Sequence, residues 1–113
     1  MVADPIVRIS ILRCDADRFD AMRKMMFESE AALRPGIEQM PGFVAIYAGA
    51  DPATCSLMNT SIWDTLEHAQ QLDRFQPMLD AGKRFAAEGA RFERPIMNYA
   101  TLWRSDQALE LQG

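Results

Sequence analysis

The chain alternates between apolar runs and segments in which apolar residues recur every three or four positions. Three apolar runs, at residues 6–14, 43–50 and 55–63, predict β-strands, and a fourth at 96–104 predicts the last strand. The segment 51–54 reads Asp-Pro-Ala-Thr, which is typical of a tight turn. The second and third strands should therefore form a hairpin.

Helices are expected between the first two strands and again after the third. The apolar face of the first helix is predicted to consist of Phe19, Met22, Met26, Ser29 and Leu33. The Arg-Pro-Gly sequence at 34–36 should interrupt it, because proline breaks a helical hydrogen bond. Asp64 and Glu67 have capping-box spacing for the next helix, and Pro77 should start a second helical piece.

The order strand, helix, hairpin, helices, strand predicts an α+β fold. We expect a ferredoxin-like, four-stranded antiparallel sheet with the helices on one face, in one domain spanning residues 1–104, followed by a tail at 105–113. The predicted strands carry apolar residues on both faces, and the helices cover only one face. A homodimer packed sheet to sheet would cover the other, so we predict a dimer.

Composition narrows the functional classes. The formal net charge of −4 argues against nucleic-acid binding, and no apolar run approaches the roughly 20 residues that a membrane helix needs. No signal-peptide pattern is visible at the N-terminus, so a cytoplasmic location is expected. Cys14 and Cys55 are too few for a disulfide framework or a metal site, and we expect two thiols at the same end of the sheet.

Three segments carry a resemblance to a known family: PGF at 41–43, SIWDTLEHA at 61–69 and RPIMNY at 94–99. With them, residues 6–104 resemble the dimeric α/β-barrel superfamily, and within it the antibiotic biosynthesis monooxygenase-like domains. The resemblance implies a pocket between the sheet and the helices. It also implies catalytic roles for Asn59 and Trp63, whose four-residue spacing matches that of the cofactor-free phenol and anthrone monooxygenases.

The haem-degrading branch of the superfamily fits the sequence poorly. That branch has an asparagine on the first strand and a histidine about ten residues after the tryptophan. Here the first strand has no asparagine, and Asp73 occupies the position ten residues after Trp63. Haem degradation is therefore not expected.

Each candidate catalytic residue has a structural interpretation beside the functional one. Asn59 is a polar amide in mid-strand that must find a hydrogen-bond partner, either a ligand or neighbouring backbone. Trp63 is either an aromatic wall for a substrate or a large core residue. The single histidine, His68, is either a general base near neutral pH or a partly exposed residue at a helix start.

Four further residues are candidates for substrate binding: Tyr47, Tyr99, Phe75 and Arg84. The two tyrosines lie on predicted strands and face either the pocket or the dimer interface. Arg84 and Arg91 flank the end of the last helical piece, where either could hold an anionic substrate or simply lie in solvent.

Together with the resemblance, these residues favour a cofactor-independent monooxygenase that acts on an electron-rich phenol, quinol or anthrone. Such substrates transfer an electron directly to oxygen once they are deprotonated, so no metal or cofactor is expected. Two alternatives stay open. One is a non-catalytic dimeric module that binds a small aromatic or apolar molecule, and the other is a muconolactone-type isomerase using His68.

Overall fold

The computed structural model describes residues 4–105, and its elements follow the predicted order. They are β1 (Ile6–Arg13), α1 (Phe19–Glu38), β2 (Phe43–Asp51), β3 (Ser56–Trp63), α2 (Leu66–Ala69), α3 (Gln76–Ala87), β4 (Arg91–Phe92) and β5 (Met97–Ala100). Short 3₁₀ turns precede α1 at Ala16–Arg18 and join α2 to α3 at Gln70–Arg74.

The strands form one antiparallel sheet in the order β2-β3-β1, with β4 and β5 both paired to the free edge of β1. The predicted fourth strand at 96–104 corresponds to β5, and β4 is an additional short strand that was not predicted; the cis Arg94–Pro95 peptide lies between the two. This is the ferredoxin-like strand order, so the predicted α+β fold class is confirmed. Dimerisation stays a prediction. The expected tail spans residues 105–113, and all of it except Ser105 lies outside the described residues.

Two predicted boundaries of the helices and strands are wrong. The first helix does not stop at 34–36 but runs through Pro35 to Glu38. Ile37, which is 1% exposed, anchors the last turn in the core, and that burial outweighs the lost hydrogen bond. The last strand ends at Ala100 rather than 104, because Ala100 already pairs with Ile6, the first residue of β1; beyond that pair Thr101 donates to the Pro5 carbonyl.

The side chains facing the helices form two apolar clusters with a polar zone between them. One cluster centres on Leu12, Met22, Leu57 and Phe85, and the other on Ile37, Trp63, Ala69 and Leu72. On β1 and β3 the cross-strand pairs between these clusters are Arg8 with Ser61 and Ser10 with Asn59. Two successive polar pairs therefore lie in the middle of the helix-facing side.

The opposite sheet face carries apolar residues and no helix. Alternation along the paired strands places Val7, Ile9, Ile11, Tyr47, Met58, Ile62, Met97 and Tyr99 on it. Tyr47, Met97 and Tyr99 are 63%, 46% and 51% exposed. Within residues 4–105 nothing covers this face, and no helix there is long and apolar enough to cross a membrane.

Candidate functional site

A cavity of about 620 Å³, which we call the inner cavity, lies between the central strands and α3. The polar pairs of β1 and β3 meet apolar side chains of both clusters there. Its walls include Arg8, Ser10, Leu12, Leu33, Leu57, Asn59, Asp73, Lys83, Phe85 and Arg94. The combination of apolar walls with a few polar groups is typical of a small-molecule site.

A second hollow, the edge cavity, has a volume of about 760 Å³ and lies between α1 and the edge strand β2. The residues that line both cavities are Met26, Ser29, Leu33, Leu57, Asn59 and Met78. The two hollows therefore meet around Asn59. Two methionines, Met26 and Met78, line both hollows, and methionine adapts readily to ligands of different shape.

Asn59 is the predicted catalytic residue that lies on a cavity wall. Its side chain is half-buried and makes no side-chain hydrogen bond within the described part of the chain. Ser10, its partner across the strand pair, has a hydroxyl that is likewise without a hydrogen bond among residues 4–105. An amide and a hydroxyl thus lie side by side in the cavity with their hydrogen-bonding capacity unused.

Trp63 lies four residues along β3 but lines neither cavity. Its side chain is fully buried, its indole Nε1–H donates to Ser61 Oγ over 2.9 Å, and its ring meets Phe43 edge to face at 5.7 Å. The ring is therefore packed against apolar neighbours and its N–H has a hydrogen-bond partner, both within the core. Its direct contact with a substrate stays a prediction, and the geometry gives it a packing position.

His68 lies on the corner where β3 joins α2, outside both cavities. Its Nδ1 is 2.6 Å from Asp64 Oδ1, and this hydrogen bond holds the pKa of the Asp64 carboxyl below its ordinary value. The pair packs over Gly42, whose φ is +78° and where a Cβ atom would come within 2.1 Å of Asp64 Oδ1. The corner is therefore tightly constrained.

The helix cap at this corner differs from the prediction. Thr65, and not Asp64, is the N-cap of α2, and its hydroxyl accepts from the His68 backbone N–H over 3.1 Å. Gln71 Nε2 donates to the Pro41 carbonyl and ties the helix to the preceding turn. Asp64 is free to bind the imidazole because Thr65 supplies the cap.

The four predicted substrate-binding residues do not gather around the inner cavity. Tyr47 borders the edge cavity and is mostly exposed, while Tyr99 lies on the open sheet face. Phe75 packs in the Trp63 cluster, and Arg84 is exposed on α3, away from both cavity walls. Their predicted contacts with a substrate stay predictions.

Arg8 is the residue of this site that the sequence interpretation missed. It is 3% exposed, lines the inner cavity, and donates from Nη2 to Asp73 Oδ1 over 2.7 Å. The signal that could have found it is the alternation of side chains along β1, because the strand register places Arg8 and Ser10 on the helix-facing side. With apolar residues on both faces of this strand, the sequence alone does not show which face is the cavity face.

The two thiols lie together, as expected, at the end of the β1–β3 pair. The Cys14 backbone N–H donates to the Cys55 carbonyl over 3.0 Å, and Cys14 is buried while Cys55 is partly exposed. Burial, reinforced by the neighbouring Cys55, raises the pKa of the Cys14 thiol. In the described residues no cluster of three histidine, cysteine or acidic side chains is arranged to hold a metal ion.

Comparison with solved structures identifies this fold in other proteins. A candidate antibiotic biosynthesis monooxygenase from Deinococcus radiodurans superposes with a TM-score of 0.68 at 14% identity, over 89% of this chain and 96% of that one. A candidate antibiotic biosynthesis monooxygenase from Nitrosomonas europaea gives 0.64 at 14% identity, over 90% and 94%. SnoaB of Streptomyces nogalater, described as a cofactor-independent oxygenase, gives 0.58 at 14% identity, over 92% and 97%.

The resemblance inferred from the sequence is thus confirmed at the level of the fold. No protein-family model matches the chain, and no curated protein sequence matches it. At these sequence identities the structural similarity shows the fold alone, and any function has to be argued from the residues of the site.

Proposed function

We propose that the protein is a cofactor-independent monooxygenase that holds an electron-rich phenol, quinol or anthrone in the inner cavity. The observation that carries this proposal is the Asn59 amide, which faces both cavities without a hydrogen-bond partner in residues 4–105. The amide atoms open to the cavity and are not sealed in the core, since the buried side-chain atom without a partner among residues 4–105 is Asn98 Oδ1. A ligand oxygen can therefore bind the Asn59 amide in place of water. The likeness to SnoaB, described as a cofactor-independent oxygenase, supports the same reaction class.

The proposed chemistry needs little from the protein. The substrate loses a proton and passes electrons to oxygen; one oxygen atom becomes a carbonyl of the product, and the other leaves as water with two hydrogens of the substrate. No external reductant is required. Asn59 would donate to the aromatic oxygen as negative charge develops on it, and Leu57 and Phe85 would keep water away from the ring.

A dimer is part of this proposal. The open sheet face exposes Tyr47, Met97 and Tyr99, and a second copy packed against it would remove this apolar surface from water. Light scattering after size exclusion should give twice the chain mass of 12.8 kDa at micromolar concentration. A mass equal to one chain would contradict the proposed assembly.

Oxygen uptake tests the proposed reaction. Chelator-treated protein should consume oxygen with the anthrone dithranol faster than the spontaneous rate, and label from ¹⁸O₂ should enter the product. Asn59→Leu should lower that rate by about a hundredfold, as expected for losing a hydrogen-bond donor to developing charge.

Asn98→Leu is the matched control, since Asn98 is also half-buried and faces the helices but lines neither cavity. It should keep the wild-type rate. No uptake above background with dithranol and a naphthohydroquinone, or equal rates in wild type and Asn59→Leu, would contradict the proposal.

A binding module is the second candidate, and the methionine-rich walls favour it. No histidine or tyrosine lines the inner cavity within residues 4–105, so the site offers few groups for acid–base chemistry. Tight binding of aromatic compounds without oxygen uptake would favour this candidate. The isomerase alternative depended on His68, whose position outside both cavities gives it no support.

A further inference from the structure

The inner cavity contains a buried positive charge whose hydrogen-bonding capacity is mostly unused. Arg8 is 3% exposed, yet a guanidinium has five N–H donors and this one makes a single side-chain hydrogen bond within residues 4–105, to Asp73. A buried cation is costly unless acceptors surround it. The remaining donors are not sealed in the core, since the buried side-chain atom without a partner among the described residues is Asn98 Oδ1; they open to the cavity, where water or a ligand can accept from them.

The sheet neighbours of Arg8 do not supply an acceptor. Ser61 lies opposite on β3, but its Oγ already accepts from the Trp63 indole N–H. Asn98 lies opposite on β5, and its buried Oδ1 has no hydrogen bond among the described residues. The guanidinium is thus not held by its flanking strands, and it lines the cavity instead.

The charge of the cavity points the same way. Arg8, Lys83 and Arg94 line it together with one carboxylate, Asp73, among the described residues. Three cations against one anion give the lining a net charge of +2, although the whole chain carries −4. Lys83 and Arg94 are exposed, so solvent screens their charges more than that of the buried Arg8. A concave wall of opposite sign to the rest of the molecule concentrates anionic ligands.

The ion pair between Arg8 and Asp73 has features that a purely structural ion pair would lack. Asp73 is about half exposed, with 52% of its side-chain surface accessible, so water weakens its attraction for the buried guanidinium. Buried ion pairs add little net stability compared with apolar residues of similar volume. A half-exposed partner leaves the guanidinium available to a stronger acceptor within the cavity.

We propose that Arg8 is a specificity-determining residue that binds a carboxylate, so that the preferred ligand is an aromatic acid. Its ring would lie against Leu12, Leu57 and Phe85, with its carboxylate on the free side of the guanidinium. This deepens the proposed function, because it names the substrate class of the same cavity. Asp73 is the hydrogen-bond partner of Arg8 when no ligand is bound, and a ligand carboxylate competes with it for the guanidinium.

Calorimetric titration with naphthalene-2-carboxylate and its neutral amide, naphthalene-2-carboxamide, tests the inference. Neither compound is an electron-rich phenol, so binding is measured without turnover and stands apart from the oxygenase proposal. Wild type should bind the carboxylate about tenfold more tightly than the amide, as expected for one charge-assisted hydrogen bond. Arg8→Met should abolish this preference while leaving the amide affinity unchanged.

Two further variants sharpen the test. Arg13→Met is the matched control, because Arg13 lies on the same strand but is exposed and pairs with Glu93 outside the cavity; it should keep the preference. Asp73→Asn should increase the preference for the carboxylate over the amide, because the substitution removes the competing negative charge and keeps an acceptor oxygen. This variant also tests the inference if Arg8→Met does not fold.

Several outcomes would overturn the inference. They are equal affinity of wild type for acid and amide, no binding of the acid at millimolar concentration, an unchanged preference in Arg8→Met, or a weaker preference in Asp73→Asn. Equal affinities together with dithranol-dependent oxygen uptake would reject the carboxylate subsite and leave the oxygenase proposal intact. A preference for the acid without any oxygen uptake would do the reverse.

Discussion

Replacing Trp63 with phenylalanine separates a packing role from a catalytic one. The substitution removes the indole N–H that donates to Ser61 Oγ and leaves a void in a fully buried site. The lost hydrogen bond costs about 1 kcal/mol, and a void of at least methyl size costs about 1 kcal/mol more. The variant should therefore be about 2 kcal/mol less stable, a shift of about 10 °C in Tm.

Urea unfolding at one fixed protein concentration measures this loss, because a dimer makes stability depend on concentration. Naphthalene-2-carboxylate binding at 15 °C, where the variant is still folded, should match wild type. Ser61→Ala alone should lower the unfolding free energy by about 1–3 kcal/mol, because it leaves the buried indole N–H without an acceptor. In the Trp63→Phe background, where that N–H is absent, the loss should be much smaller. Unchanged stability together with lost binding would refute the packing role and place Trp63 on the ligand.

The corner and the thiols give three further predictions. Gly42→Ala should lower the midpoint of urea unfolding, because a Cβ there would clash with Asp64 at a φ of +78°; an unchanged midpoint would count against the described corner. Since the pKa of Asp64 is lowered on folding, its carboxylate stabilises the fold above about pH 4, and this contribution is lost as the pH falls through the lowered pKa. The difference in unfolding free energy between wild type and Asp64→Asn should therefore shrink on acidification below about pH 4, and a constant difference would exclude this linkage. Iodoacetamide at pH 8 should label Cys55 faster than Cys14, whose pKa is raised by burial, as peptide mass spectrometry would show; faster labelling of Cys14 would contradict its burial.

Local signals predicted much of the scaffold. The turn at 51–54 forms as expected, with Asp51 accepting from the Ala53 N–H and the Thr54 hydroxyl, and Pro77 lies in the first turn of α3. The errors arose where tertiary contacts outweigh local preference. The helix continues through Pro35 because Ile37 is buried, a fact that depends on the distant Trp63 cluster.

The candidate site was only partly predictable, for a related reason. Asn59 stands out in the sequence because an amide in an apolar strand needs a partner. Arg8 does not, because its importance depends on which face of β1 meets the helices, and strand pairing decides that. His68 drew attention as the single histidine, but the fold places it on a capped corner, where Asp64 and Thr65 hold it.

The central claim is that the reaction takes place around Asn59 in the cavity and not at the His68 corner. The most direct test compares dithranol-dependent oxygen uptake by Asn59→Leu and His68→Ala, each at a temperature where circular dichroism shows it folded. The account predicts that uptake falls by about a hundredfold in the Asn59 variant and stays at the wild-type rate in the His68 variant. Loss of uptake in His68→Ala with full activity in Asn59→Leu would contradict it.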